Sequence, residues 1–223
     1  MTEKIIEGIK YLLEEETLTA EVIKNQNGYR GNIIIPETIV FNEVTYRVTS
    51  VGKQAFGNCF SLTSVVIPNS VTSIGRDAFW GCDSLKSIVI SNGVTSIGEA
   101  AFMECDSLNS IVIPNSVISI EDNAFSGCSS LTSIVIPESV KSIGEGAFSG
   151  CSSLTSVVVA EGNTVYDSRE QCNAIIHTAT NTLISGCQNT IIPDSVTSIG
   201  DYAFYGCDSL TSIVIPDSVT SIG

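Results

Sequence analysis

Apolar positions along this chain return in a fixed order with a fixed step. The pair Ala-Phe stands at Ala55-Phe56, Ala78-Phe79, Ala101-Phe102, Ala124-Phe125 and Ala147-Phe148, each 23 residues after the last, and again at Ala203-Phe204. Three residues beyond each Phe comes a cysteine: Cys59, Cys82, Cys105, Cys128, Cys151 and Cys207. Three further on comes Leu62, Leu85, Leu108, Leu131, Leu154 and Leu210. Inside one unit, Leu131, Ile134 and Ile136 have the spacing of a strand that turns alternate side chains inward. Pro137 closes that strand, since it has no N–H for a ladder. Val140 and Ile143 make a second inward pair, and Gly144 is expected to turn the chain with a positive φ. Ala147-Phe148 then opens a short turn or 3₁₀ segment that folds back beneath the core. A 23-residue unit cannot bury its own apolar face, so the units must stack into one continuous core. Stacking places Phe125 between the Phe102 and Phe148 rings.

Several places break the pattern. Ser91 and Ala160 stand where the strand-ending proline is expected, and Glu121 takes the place of the turn glycine. A strict left-handed position would resist that glutamate. The larger break is an island at 160–193, where ten residues are added and the Ala-Phe pair is missing. Its apolar runs around Thr178-Ala179-Thr180-Asn181 read as a hairpin. A register in which paired numbers sum to 359 sets Ile176 opposite Leu183, Ala174 opposite Ser185 and Cys172 opposite Cys187. Residues 1–47 form a different module, an N-terminal cap with a first solenoid strand at Asn32–Pro36. A loop at Phe41-Asn42-Glu43-Val44 then delays the Val48-Thr49-Ser50-Val51-Gly52 element. Between residues 4 and 24, Ile5, Ile6, Ile9, Leu12 and Leu13 fit one face of a helix. The runs Gly8–Leu13 and Thr19–Ile23 fit a hairpin equally well.

The L-x-x-I-x-I-P and S-I-G-x-x-A-F-x-x-C elements resemble the BspA-like leucine-rich repeat family of bacterial surface proteins. The resemblance covers 48–223, with seven apolar positions recurring in register. It implies a mainly β, right-handed leucine-rich-repeat solenoid of 23-residue units with a parallel sheet. It favours a β-hairpin cap at the N-terminus. It also implies export to the cell surface, and adhesion to host or neighbouring-cell proteins or glycans. The opening Met-Thr-Glu-Lys lacks an apolar leader, and the sequence stops mid-unit at Gly223. Both ends suggest a segment of a longer exported protein, a cytoplasmic protein being the less favoured reading.

The 223 residues carry 24 acidic against 10 basic side chains, a net charge of −14. That balance opposes nucleic acid, whose affinity depends on neutralising phosphates, and anionic membrane surfaces. No apolar run approaches the roughly 20 residues of a membrane-spanning helix. The six repeat cysteines share one position, so they read as a column of buried thiols filling space. No C-x-x-C pair exists for a metal. Whether Cys172 and Cys187 are bonded is left open by the sequence. Asp83, Asp106 and Asp208 follow ladder cysteines and read as a solvated acidic edge rather than a Ca²⁺ site. His177 is the only histidine and has no acid–base partner nearby in sequence. No nucleotide-binding glycine motif is present. No catalytic residue, metal or cofactor is therefore expected. Trp80 and Tyr205 occupy equivalent positions after the Phe and read as surface aromatics.

What remains is the strand surface. Its outward residues should be Ser64 and Val66, Ser87 and Val89, Ser110 and Val112, Ser133 and Val135, Ser156 and Val158. Stacked, they form a Ser stripe beside a Val stripe, a half-apolar face on a rigid scaffold. Acidic loop positions, Glu99, Asp122, Glu145 and Asp201, could add charge selectivity at the rim. The expected activity is non-enzymatic binding of a protein or glycan partner. The alternative is a structural spacer within a longer surface protein.

Overall fold

The computed structural model describes residues 1–223. The N-terminal strands are β1 (Thr2–Ile6), β2 (Ile9–Glu14), β3 (Thr19–Val22), β4 (Arg30–Ile34), β5 (Thr38–Phe41) and β6 (Val44–Val51). The repeats contribute β7 (Ser61–Ile67), β8 (Ser73–Ile74), β9 (Ser87–Ile90), β10 (Ser96–Ile97), β11 (Ser119–Ile120), β12 (Ser133–Ile136), β13 (Ser142–Ile143) and β14 (Ser156–Val159). The island holds β15 (Tyr166–Asp167), β16 (Ile175–His177) and β17 (Thr182–Ser185), and β18 (Ser198–Ile199) and β19 (Ser221–Ile222) follow.

No helix forms over 4–24. β1, β2 and β3 make an antiparallel meander, with Ile6 opposite Ile9 and Tyr11 opposite Val22. Alternation decides the outcome: Ile9, Tyr11 and Leu13 are buried while their neighbours are only partly so. β3 then pairs in parallel with β6, so the meander covers the end of the solenoid. The segment around Phe41–Val44 is a tight hairpin joining β5 and β6, not an open loop. Asn42 and Glu43 take φ of 50° and 67°, as a two-residue hairpin turn requires.

The repeats stack in register at 23-residue steps. Ser73 and Ile74 pair with Ser96 and Ile97, and these with Ser119 and Ile120. The turn segment stacks as well. Gln54, Phe56 and Asn58 donate N–H bonds to the carbonyls of Arg76, Ala78 and Trp80 at 3.0, 2.7 and 2.7 Å. The pattern recurs at every step as far as Asn123, Phe125 and Gly127, which donate to Glu145, Ala147 and Ser149. It demands two left-handed residues per unit. One column is Gln54, Asp77, Ala100, Asn123, Gly146 and Tyr202; the other is Asn58, Gly81, Glu104, Gly127, Gly150 and Gly206.

Gly144, expected to supply the positive φ, does not lie in the left-handed region, and neither do Gly75, Gly98 or Gly200. These glycines allow close approach instead. A Cβ on Gly98 would sit 2.7 Å from Gly75 C and 2.8 Å from Ile74 O in the preceding unit. Glu121, in the same column, also lacks a positive φ, and its side chain is exposed.

Phe56, Phe79, Phe102, Phe125 and Phe148 form a stack with centroids 4.9 to 5.5 Å apart and planes within 6°. Phe56, Phe79, Phe102 and Phe125 are fully buried. Phe204 does not join the stack; it packs in a second, smaller core with Cys172, Ile176, Leu183 and Ile199. The abundance of Ser and Thr follows from the stacking. Ser116 and Ser139 hydroxyls donate to Val94 and Val117 carbonyls one unit back, at 2.6 and 2.7 Å. Thr95 and Thr155 do the same to Thr72 and Thr132.

In the island, β16 and β17 are antiparallel, with Ile176 opposite Leu183 and His177 opposite Thr182. Beyond Ile176 a bulge shifts the register by one, and Ile175 rather than Ala174 faces Ser185. Cys172 and Cys187 therefore do not meet as an opposed pair. Both are free thiols, and their sulfurs point to different carbonyls, those of Ala174 and Asn173.

Candidate functional site

The strand face is where outward side chains repeat. Ser64 and Val66 align with Ser87 and Val89 across β7 and β9. Ser133 and Val135 align with Ser156 and Val158 across β12 and β14. The two pairs of strands are not joined by a ladder. Residues Ser110–Ile113 make no backbone pair with either neighbour, so the expected continuous stripe is divided at the third unit. In the second unit, beside it, Ser91-Asn92-Gly93 replaces Pro-Asn-Ser. Gly93 packs so closely on the Asn69 and Val71 carbonyls that no Cβ would fit. A cleft of about 540 Å³ opens there, lined by Asn92, Val112, Ile113, Pro114, Asn115 and Ser116.

The valines do face water. Val112 is 79% exposed, Val89 and Val135 are 55% and 54%, and Val158 is 41%. Val66 is less open, because β4 lies beside β7. Ser64 is held by Asn32, whose Oδ1 accepts its hydroxyl proton at 2.9 Å. Ser87, Ser110 and Ser133 are exposed, and Ser156 is half-buried.

A second concave region was not legible in the repeat pattern. It lies where the island interrupts the stack, between residues 143–148 and the unit after the island. Ile143 and Ile184 form its floor, with Glu145 and Asp201 at one end. Tyr166 and His177, with rings 5.6 Å apart and edge-on, stand at the other. Tyr166 Oη accepts the Ile143 N–H at 2.9 Å, and His177 Nδ1 is 3.1 Å from Thr180 Oγ1. The missing Ala-Phe pair was the one sequence signal that this junction differs.

The thiol column is chemically quiet. Cys82, Cys105, Cys128 and Cys151 each direct Sγ at the Phe carbonyl of the preceding unit, at 3.1 to 3.2 Å. Burial pushes the Cys82 and Cys151 thiols up to about 12, and Cys105 and Cys128 well above their ordinary value. A neutral thiol is neither nucleophile nor metal ligand. No three His, Cys, Asp or Glu side chains converge as a metal site. Trp80 lies on the surface beside Glu104, donating from Nε1 at 3.1 Å. Tyr205 is exposed beside Tyr202.

Parallel 23-residue units with inward Leu, Ile, Phe and Cys define a leucine-rich-repeat solenoid. A family model of the BspA type leucine rich repeat region matches six copies over residues 49–174 and 181–223. The chain belongs to the BspA-type leucine-rich repeat family. Among solved structures, it is similar to a leucine-rich repeat protein from Bacteroides ovatus, at 30% identity and a TM-score of 0.75, over 99% of this chain and 55% of that one. It is also similar to the Treponema pallidum leucine-rich repeat protein, at 30% identity and a TM-score of 0.67, over 100% and 86% of the two chains. A leucine-rich cell surface protein from Faecalibacterium prausnitzii matches at 28% identity and a TM-score of 0.60, over 100% and 73%. The chain thus spans about half the length of the Bacteroides protein. No curated protein sequence matches it.

Proposed function

We propose that this chain is a non-enzymatic binding module of a bacterial surface or secreted protein. Its partner is a protein or glycan of a host or neighbouring cell, met through the repeat face centred on Ser110, Val112, Ser133 and Val135. The observation that carries the reading is the run of exposed valines at positions where no core requires an apolar side chain. A surface of this kind on a rigid frame suits recognition. The absence of converging unlike groups on that face argues against catalysis there. The cell-surface description of the Faecalibacterium relative supports the location. The test is a screen of host matrix proteins and glycans, followed by titration of a captured partner against a Val112→Lys/Val135→Lys variant. Outward substitutions of this kind change stability by about 0.5 kcal/mol or less. Binding should weaken by about 30-fold or more if the valines occupy a desolvated centre. Unaltered affinity in the folded variant would remove this face.

A further inference from the structure

The island leaves a wedge open between residues 143–148 and the unit after the island. At the closed end, Gly150 N–H donates to Tyr205 C=O at 2.8 Å, the bond that joins any two units at this position. One step back the regular bond is missing. The Ala203 carbonyl that Phe148 N–H would reach is taken by Gly186 N–H at 2.8 Å. Gly146 and Phe148 N–H groups are left with no partner in the chain, as are the Lys141 and Ile143 carbonyls. In the unit before, every equivalent group is used: Asn123 and Phe125 N–H donate to Glu145 and Ala147, and Ile118 and Ile120 carbonyls accept from Lys141 and Gly144. Phe148 is itself buried, so its unpaired N–H is costly to leave unmet.

The wedge is therefore an interrupted ladder with a floor. Ile143 and Ile184 line both of its lobes, each of about 240 Å³. Glu145 and Asp201 flank one lobe, and no Lys or Arg lines either. A chain of net charge −14 adds a negative field around them. The free Lys141 and Ile143 carbonyls, two residues apart on the open edge of β13, are what the N–H groups of an added strand satisfy. The carboxylates select its charge.

We propose that this wedge takes an extended peptide segment of a protein partner, bearing lysine or arginine. The segment adds as a strand along Lys141–Ile143, the open edge of β13, and its cationic side chain sits between Glu145 and Asp201. The proposal rests on the binding-module reading but places a contact away from the Ser/Val face.

The experiment is fluorescence anisotropy of the whole chain with a labelled peptide of sequence Thr-Lys-Val-Lys-Thr-Lys-Val, beside a version with glutamate in place of lysine. The lysine peptide should bind saturably, more weakly at high salt, and the glutamate peptide should not. A Glu145→Gln/Asp201→Asn variant should keep its melting curve and lose affinity at least tenfold. Amide exchange at Gly146, which lines the acidic lobe, should slow on binding. No saturable binding up to millimolar peptide, equal binding of the glutamate version, full affinity in the double variant, or unchanged exchange at the Gly146 amide would each overturn the wedge. If the lysine peptide instead loses affinity only in Val112→Lys/Val135→Lys, the contact belongs to the strand face; the wedge fails and the binding-module reading stands.

Discussion

Removing one ring from the middle of the phenylalanine stack tests the packing that holds the solenoid together. Phe125 is fully buried, with its ring centroid 5.2 Å from Phe102 and 5.5 Å from Phe148. An aromatic side chain buries on the order of 150–250 Å². At about 25 cal/mol per Å² that is ~4–6 kcal/mol, of which alanine's methyl keeps a fraction. The cavity left behind adds to the loss when the walls cannot close. Here they cannot close easily. Phe102 N–H to Ala124 C=O and Phe125 N–H to Ala147 C=O, both 2.8 Å, hold the flanking units at their spacing. Phe125→Ala should therefore cost about 3–5 kcal/mol. For a chain of this size each kcal/mol lowers the melting temperature by roughly 2–4 °C, so a fall of ~6–20 °C is expected. Urea denaturation followed by circular dichroism gives the free energy. Phe204→Ala, at a half-buried ring outside the stack, is the comparison and should cost less than half as much. An unchanged midpoint for Phe125→Ala, or equal losses at the two sites, would refute the account.

Other expectations concern the thiols and the glycines. Iodoacetamide at pH 8 should leave Cys105 and Cys128 unmodified in the folded protein and label the half-buried Cys207 first. Under denaturing, non-reducing conditions mass spectrometry should count eight adducts; six would mean that Cys172 and Cys187 are bonded after all. The raised thiol values also set a sign for pH. The unfolded chain releases these protons near pH 9 and the folded one near 12, so stability is complete below pH 9 and falls as pH rises from there. Denaturation midpoints that rise between pH 9 and 11 would contradict this. Gly98→Ala should cost about 1–3 kcal/mol, because its Cβ meets only backbone atoms. Gly57→Ala, whose nearest contact would be 3.4 Å, should melt close to the parent.

How much the sequence discloses depends on how often it repeats itself. The unit is written several times over, so the inward positions of Leu131, Ile134, Ile136, Val140 and Phe148 stand out from chance. The cap is written once: Ile5, Ile6, Ile9, Leu12 and Leu13 satisfy a period of 3.6, while Ile9, Tyr11 and Leu13 satisfy a period of 2. Pairing of β2 with β1 and β3 buries the alternating set and breaks that tie. Gly144 shows a different limit. A glycine needed for close approach looks the same as one needed for a positive φ, while the left-handed positions are hidden under Gln54, Asp77, Ala100 and Tyr202. The bulge at Ile175–Ile176 has no signal in composition, so the cysteine register slips by one. The division of the strand face at Ser110–Ile113 has no mark in that strand, which keeps the Ser-Ile-Val-Ile pattern of its neighbours. The wedge depends on which carbonyl Gly186 captures, a question of three-dimensional competition that spacing does not state.

The ladder of bonds between units has a mechanical consequence. These hydrogen bonds run from unit to unit, nearly along the line in which the solenoid is extended. A tension applied between its two ends loads them in series, so the interfaces separate one after another, like a zipper drawn open, rather than yielding together in shear. In such a series the weakest junction sets the force. Between most neighbours the turn segment alone contributes three bonds, whereas across the wedge Gly150 and Tyr205 contribute one. The island is thus the place where a pulled chain should lengthen first, acting as a fuse that spares the repeats on either side.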